Sequence, residues 1–220
     1  NLKTSDSIKD ESDEIKKFIY LSLRIENTDI SKNKYNSSKF LYKGLVLSGE
    51  HGNGKTYYLE KAINKLIDEN KIDYLCVFIV DTTDIDKFKT YCNFSKMIKN
   101  SFILITNQIT HKLVFSNSEE SGIINEENKF AIEIIKEMDV NNSIVVIETT
   151  HSIEDFYKEL RLPGRFDYHI NINLPDYLKR SSIINDYLNY LSHDLSENDI
   201  IKFTDKTQGF TPADIMSVLK

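Results

Sequence analysis

The sequence predicts an α/β fold with a parallel sheet, followed by a strand-free helical tail. Three observations carry this. Short, almost wholly apolar runs recur along residues 40–174, separated by helical patterns. Four of the seven glycines crowd into residues 44–54, from within the first run to just after it. Beyond Pro175 the apolar spacing is helical only.

The elements follow in order. Ile15, Phe18, Ile19 and Leu23 predict a helix within residues 6–24, after a charged opening. Residues 25–39 are polar and predict a loop. Phe40–Ser48 (FLYKGLVLS) predicts the first strand. Leu59, Ala62, Ile63, Leu66 and Ile67 predict an amphipathic helix over Lys55–Glu69. Tyr74–Val80 (YLCVFIV) is wholly apolar, which predicts a strand buried on both faces. Phe102–Ile105 and Ser143–Ile147 predict two more strands, with a helix over Asn128–Met138 before the second. His169–Leu174 alternates and predicts an edge strand. Leu178–Leu191, Glu197–Thr204 and Thr211–Leu219 predict three helices. The boundary is drawn at Pro175, dividing the chain into 1–174 and 175–220.

Composition narrows the function. The 220 residues are 40% hydrophobic, enough for one core and a small satellite. The formal net charge of −6 argues against non-specific binding to nucleic acid or an anionic membrane surface. No run approaches the roughly 20 apolar residues of a membrane span. Two cysteines, Cys76 and Cys92, suit a reducing, cytoplasmic setting, with Cys76 expected in the core. Only four arginines occur, Arg24, Arg161, Arg165 and Arg180, so each is informative. The polar opening and the amphipathic pattern at the C-terminus predict one module of a longer protein.

The glycine cluster is the strongest motif. Gly49-Glu50-His51-Gly52-Asn53-Gly54-Lys55-Thr56 fits G-x-x-x-x-G-K-[ST] between a predicted strand and helix. A turn that lays its backbone against phosphates needs positive φ and no Cβ, hence glycine. Its N–H groups and the following helix N-terminus favour an anion. Lys55 would bridge the β- and γ-phosphates, and Thr56 would offer its hydroxyl to Mg2+. Tyr57 completes the candidate nucleotide-binding set. Glu50 brings negative charge near the phosphates, and His51 occupies a tolerant position.

Loops of this kind that hydrolyse nucleotide are partnered by a strand ending in two carboxylates. Here SFILITNQIT places Asn107 and Gln108 there. Amides keep the shape but carry no charge and accept no proton. Loss of a positioned base alone costs roughly 10²–10⁴ in rate.

The ordered segments GLVLSGEHGNGKT, SFILITNQIT, SIVVIETTH, RLPGRFDYHININLPD and TQGFTPADI resemble a AAA ATPase domain. The likeness is to the valosin-containing protein, NSF and peroxisomal biogenesis group, and it runs from about Ile15 to Leu219. It implies a P-loop NTPase core, a five-stranded parallel sheet sandwiched by helices, with a small all-α lid. It also implies ATP and Mg2+ at the P-loop and a hexameric ring of AAA subunits or domains, with adaptor and substrate proteins as partners.

Several positions depart from that pattern. Asn107 would stand toward the metal and Gln108 in place of the catalytic glutamate. His151 matches a polar sensor that is normally asparagine. Arg165 matches an arginine finger donated in trans, whereas Leu162 replaces the first finger. Pro212-Ala213 replaces a lid Gly-Ala. Asp81–Asn100 is short for a pore loop and helix, with Lys87-Phe88 a weak match. Glu148 is the one carboxylate placed to approach the altered pair, and Glu119, Glu120, Glu126 and Glu127 read as a solvated face.

Three functions stay open on these residues. One is an ATP-binding, hydrolysis-poor module, structural or regulatory in a protein-remodelling ring. Another is a working ATPase with displaced catalytic groups, driving unfolding or disassembly. The last is an interaction scaffold that binds no nucleotide.

Overall fold

A computed structural model describes residues 10–23, 42–115, 128–141, 143–191 and 193–220. The predicted loop 25–39, Arg24, Phe40 and the acidic residues 119, 120, 126 and 127 lie outside these.

Five parallel strands form one sheet: β1 (Gly44–Ser48), β2 (Cys76–Val80), β3 (Ser101–Ile105), β4 (Val145–Thr149) and β5 (Tyr168–Asn171). Their order is β2-β3-β4-β1-β5. The central strands β1, β3 and β4 are buried throughout.

The pleat sorts the side chains into two cores. Leu45, Leu47, Phe102, Leu104 and Val146 face α1 (Glu11–Ser22) and α2 (Lys55–Asp68), packing on Phe18, Leu59, Ala62 and Leu66. Val46, Ile103, Ile105, Val145 and Ile147 face the other way, onto Phe88 of α3 (Ile85–Met97) and Ile134 and Met138 of α4 (Lys129–Asn141). Each such burial contributes about 1.5–3 kcal/mol over exposure.

Two expectations are corrected. Tyr74–Val80 was expected to be covered on both faces; instead β2 is an edge strand, and Ile79 is 54% exposed. Cys76, at its start, is half-buried rather than in the core, whereas Cys92 of α3 is fully buried. Apolar content alone does not report how many neighbours a strand has. In the short Asp81–Asn100 segment, Lys87 pairs with Asp81 at 3.2 Å, and Phe88 is buried edge-on against Phe130. That aromatic side chain therefore faces the core.

The helix ends are encoded locally. Asp10 caps α1 by accepting from the Ser12 N–H at 3.1 Å, and Lys61 and Lys65 of α2 reach its carboxylate at 2.9 and 2.8 Å. Past Pro175 come α5 (Tyr177–Leu188), α6 (Glu197–Lys206) and α7 (Pro212–Val218), joined through Ile184, Leu188 and Ile215. Capping boxes start α6 (Ser196 with Asp199) and α7 (Thr211 with Asp214). Buried Arg180 donates to the Pro175 carbonyl at 3.1 Å and the Thr204 carbonyl at 3.3 Å. One of the four arginines is thus an internal strut.

Candidate nucleotide site

The chain leaves β1 at Ser48 and turns through residues 49–54 into α2. Gly49 (φ +147°) lies so close to β5 that a Cβ would sit 2.4 Å from the Ile172 carbonyl oxygen. Gly52 (φ +82°) lies under α7, where a Cβ would meet the Thr211 hydroxyl at 2.7 Å and the Ala213 methyl at 2.8 Å. Both need glycine for space as well as for backbone conformation. Asn53, buried, donates to the Ile172 carbonyl at 2.9 Å and fixes the loop to the sheet.

Among the described residues no side chain caps the N-terminus of α2, leaving its first turn toward the loop. Lys55 crosses the loop, its Nζ donating to the Gly49 and Glu50 carbonyls at 2.8 and 3.0 Å. Burial pushes its ammonium below the ordinary lysine range, and the charge of Glu148 opposes that. An uncapped helix end, glycine-shaped backbone and a desolvated ammonium together suit a phosphate chain.

Thr56 does not stand alone. Its hydroxyl donates to Glu148 Oε2 at 3.0 Å. Glu148 belongs to β4, beside Leu47 of β1, and alternation from Val146 aims it at α2. Burial pushes its carboxyl upward, against the Thr56 bond and the Lys55 charge, while Glu60 adds to the rise. The same alternation sets Thr106, not Asn107, on this face. Leu104 points toward α2, and Thr106 stays extended (φ −79°, ψ 157°) with its N–H bonded to the Val80 carbonyl. Its hydroxyl is buried and has no partner among the described residues.

Asn107 makes its two side-chain bonds elsewhere. Its Oδ1 accepts from the Thr150 N–H at 2.8 Å, which fixes the amide orientation. Its Nδ2 therefore faces His51 Nε2 at 2.9 Å. Gln108 follows in a 3₁₀ turn over Asn107–Leu113 and is exposed.

His151 is half-buried and lines a cavity of about 700 Å³ with Gly49, Glu50, Asn53 and His169. The sequence reading missed His169, which shares the Ser48 hydroxyl at 2.8 Å. Tyr57, 60% exposed, lines a second cavity of about 410 Å³ between the loop and the C-terminal helices, with Tyr58, Tyr187 and Tyr190. Ala213 N–H donates to the Gly52 carbonyl at 3.3 Å. Arg165 is remote from all of these: its backbone packs on Gly44, at the far end of β1 from Gly49. Its guanidinium is forked onto Asp139, with Nε 3.2 Å from Oδ1 and Nη2 2.7 Å from Oδ2.

A five-stranded parallel sheet with a glycine loop at a helix N-terminus, a loop-spanning lysine and an adjacent threonine defines a P-loop nucleotide-binding protein. The chain belongs to the AAA family, the ATPase family associated with various cellular activities, whose model matches residues 45–174. Membership implies nucleotide binding, usually with Mg2+, and its proteins generally assemble into rings.

Among curated relatives, an ATP-dependent zinc metalloprotease FtsH of Trieres chinensis is 27% identical over 187 residues, 80% of this chain and 28% of that protein. The YME1 homolog of Caenorhabditis elegans is 28% identical over 159 residues, 72% of this chain and 18% of its own. YME1L of Drosophila melanogaster is 32% identical over 95 residues, 42% and 13% respectively. The chain thus spans less than a third of the length of these relatives. They are of the FtsH and YME1 kind; the valosin-containing protein, NSF and peroxisomal group suggested by the motifs finds no support among them. Among the described residues no helix is long and apolar enough to cross a membrane.

Proposed function

We propose that this chain is an ATP-binding AAA module that holds nucleotide and hydrolyses it slowly, acting as a structural or regulatory element of a hexameric protein-remodelling ring. The carrying observation is a complete phosphate loop beside a β3 end without an acid. Lys55 is poised across the loop, whereas Asn107 is spent on Thr150 and His51, and Gln108 points to solvent. The residues present fit the nucleotide. Gly49–Thr56 would cradle the phosphates, Lys55 would neutralise them, Thr56 would meet Mg2+, and the Tyr57 cavity is open to the remaining moiety.

Residues 175–220 would serve as a lid, which the seat of α7 on Gly52 supports. Arg165, at the opposite end of β1, would act on a neighbouring subunit's site. The relatives are named ATP-dependent proteases, and from them we take only ATP-dependent action on proteins; adaptor and substrate proteins as partners belong to the ring reading, and a cytoplasmic setting to the two unpaired cysteines. A second reading, a working ATPase with substituted groups, draws on the proximity of Glu148 to Thr56. Steady-state phosphate release separates the two. The first expects a wild-type rate only slightly above that of Lys55→Ala, and a Lys55-dependent rate in the ordinary range of enzyme turnover, about 1 per second or faster, would overturn it.

A further inference from the structure

We infer that the metal-side carboxylate of this nucleotide site has moved one strand over: Glu148 of β4, not a residue at the end of β3, is the acid that supports a divalent cation beside the phosphates. The inference rests on the nucleotide-binding reading above and assigns a residue within that site.

Three observations carry it. First, the end of β3 offers no acid on this face. The pleat turns Thr106 toward α2, and Asn107, an uncharged amide, is bonded to Thr150 and His51. Second, β3 and β4 are neighbours in register, Ile105 beside Ile147. The next residue on each strand is Thr106 and Glu148, so the acid lies one strand from the vacant position and on the same face. Third, Glu148 is only 6% exposed; Oε2 accepts from Thr56 while Oε1 is buried with no partner among the described residues. A buried carboxylate oxygen left without a donor is costly unless something cationic or protic reaches it. The Thr56 hydroxyl, by donating to Glu148, keeps its own lone pairs available. A hydroxyl oxygen and a carboxylate beside phosphates form the hard-oxygen set that Mg2+ takes, with waters completing its shell.

The test titrates Mg2+ into the protein with a fluorescent ATP analogue, and measures analogue affinity in EDTA alongside. Glu148→Gln should leave the EDTA affinity within about twofold and raise the Mg2+ midpoint about 10–100-fold, the range for losing a partner that supports a metal ligand. Thr106→Asp placed in Glu148→Gln should recover the midpoint by returning a carboxylate to the same face from β3. An unshifted midpoint in Glu148→Gln, with EDTA binding intact, would overturn the inference and leave the nucleotide-binding reading standing. Should Glu148→Gln not fold, the Thr106→Asp/Glu148→Ala exchange decides: a wild-type midpoint supports the inference, and a midpoint still raised in the folded exchange overturns it. A wild-type chain that binds no nucleotide would overturn both.

Discussion

Asn107 Nδ2 lies 2.9 Å from His51 Nε2, and this bond ties the end of β3 to the phosphate loop. Because Thr150 fixes the other side of the amide, the side chain bridges β3, β4 and the loop at once. Asn107→Ala removes both bonds. At about 1 kcal/mol each, the melting temperature should fall by several degrees, since about 1 kcal/mol shifts a domain of this size by about 2–4 °C. Thermal unfolding by circular dichroism checks it.

Restoring acids by sequence position should fail. Gln108 is exposed in the 3₁₀ turn, so Gln108→Glu puts a carboxylate into water. Phosphate release from Asn107→Asp/Gln108→Glu should stay at the wild-type level. An increase approaching the roughly 10²–10⁴ expected of a positioned base would show that both side chains reach the nucleotide.

Asp10 should give the fold an acid-sensitive anchor. Burial pushes its carboxyl upward, but hydrogen bonds from Lys65, Ser12 and Lys61 outweigh this and hold it well below the usual carboxylate range. A depressed folded value means stabilisation present above the unfolded value of 3.8 and lost as pH falls below it. Asp10→Asn should therefore melt lower than wild type at neutral pH, with the gap narrowing from about pH 4 downward. Asparagine still caps the helix, so loss of the two partly exposed ion pairs alone should cost about 0.5–2 kcal/mol.

Cys92 should resist thiol reagents. It is fully buried in α3, and burial, with Glu137 nearby, pushes its thiol well above the ordinary range. Half-buried Cys76 should react first with a chromogenic disulfide at mildly alkaline pH, and Cys92 only on unfolding. Two thiols titrating together in the native protein would contradict the placement of α3.

Arg165 should be silent in the isolated chain. It sits about 16 Å from the phosphate loop, the length of a five-residue strand. Arg165→Ala should leave nucleotide affinity of the single chain within about twofold while lowering the melting temperature through loss of the Asp139 fork. A large loss of affinity would place the guanidinium in its own subunit's site.

Much of this was legible in the residues. The glycine loop, the parallel strands β1, β3 and β4 and the three C-terminal helices all follow from local spacing. The misses share one cause: they depend on which strand lies beside which. The edge position of β2 cannot be read from an apolar heptapeptide. Asn107 and Gln108 stand at the matching sequence positions, yet the pleat turns Thr106 inward and carries Gln108 out. Glu148 had a readable signal, an acid two residues after Val146 on a buried strand. Only the strand order β3-β4-β1 shows that this parity aims it at Thr56.

The most direct test of the central claim asks what stays on the protein. The chain is loaded with ATP and Mg2+, incubated for an hour, separated from free nucleotide and denatured, and the released nucleotide is identified by chromatography, with Lys55→Ala alongside. The account predicts ATP from the wild type and none from Lys55→Ala. Recovery of ADP with a matching amount of phosphate would contradict it and show a working ATPase, while recovery of no nucleotide would remove the phosphate loop from the chain's function.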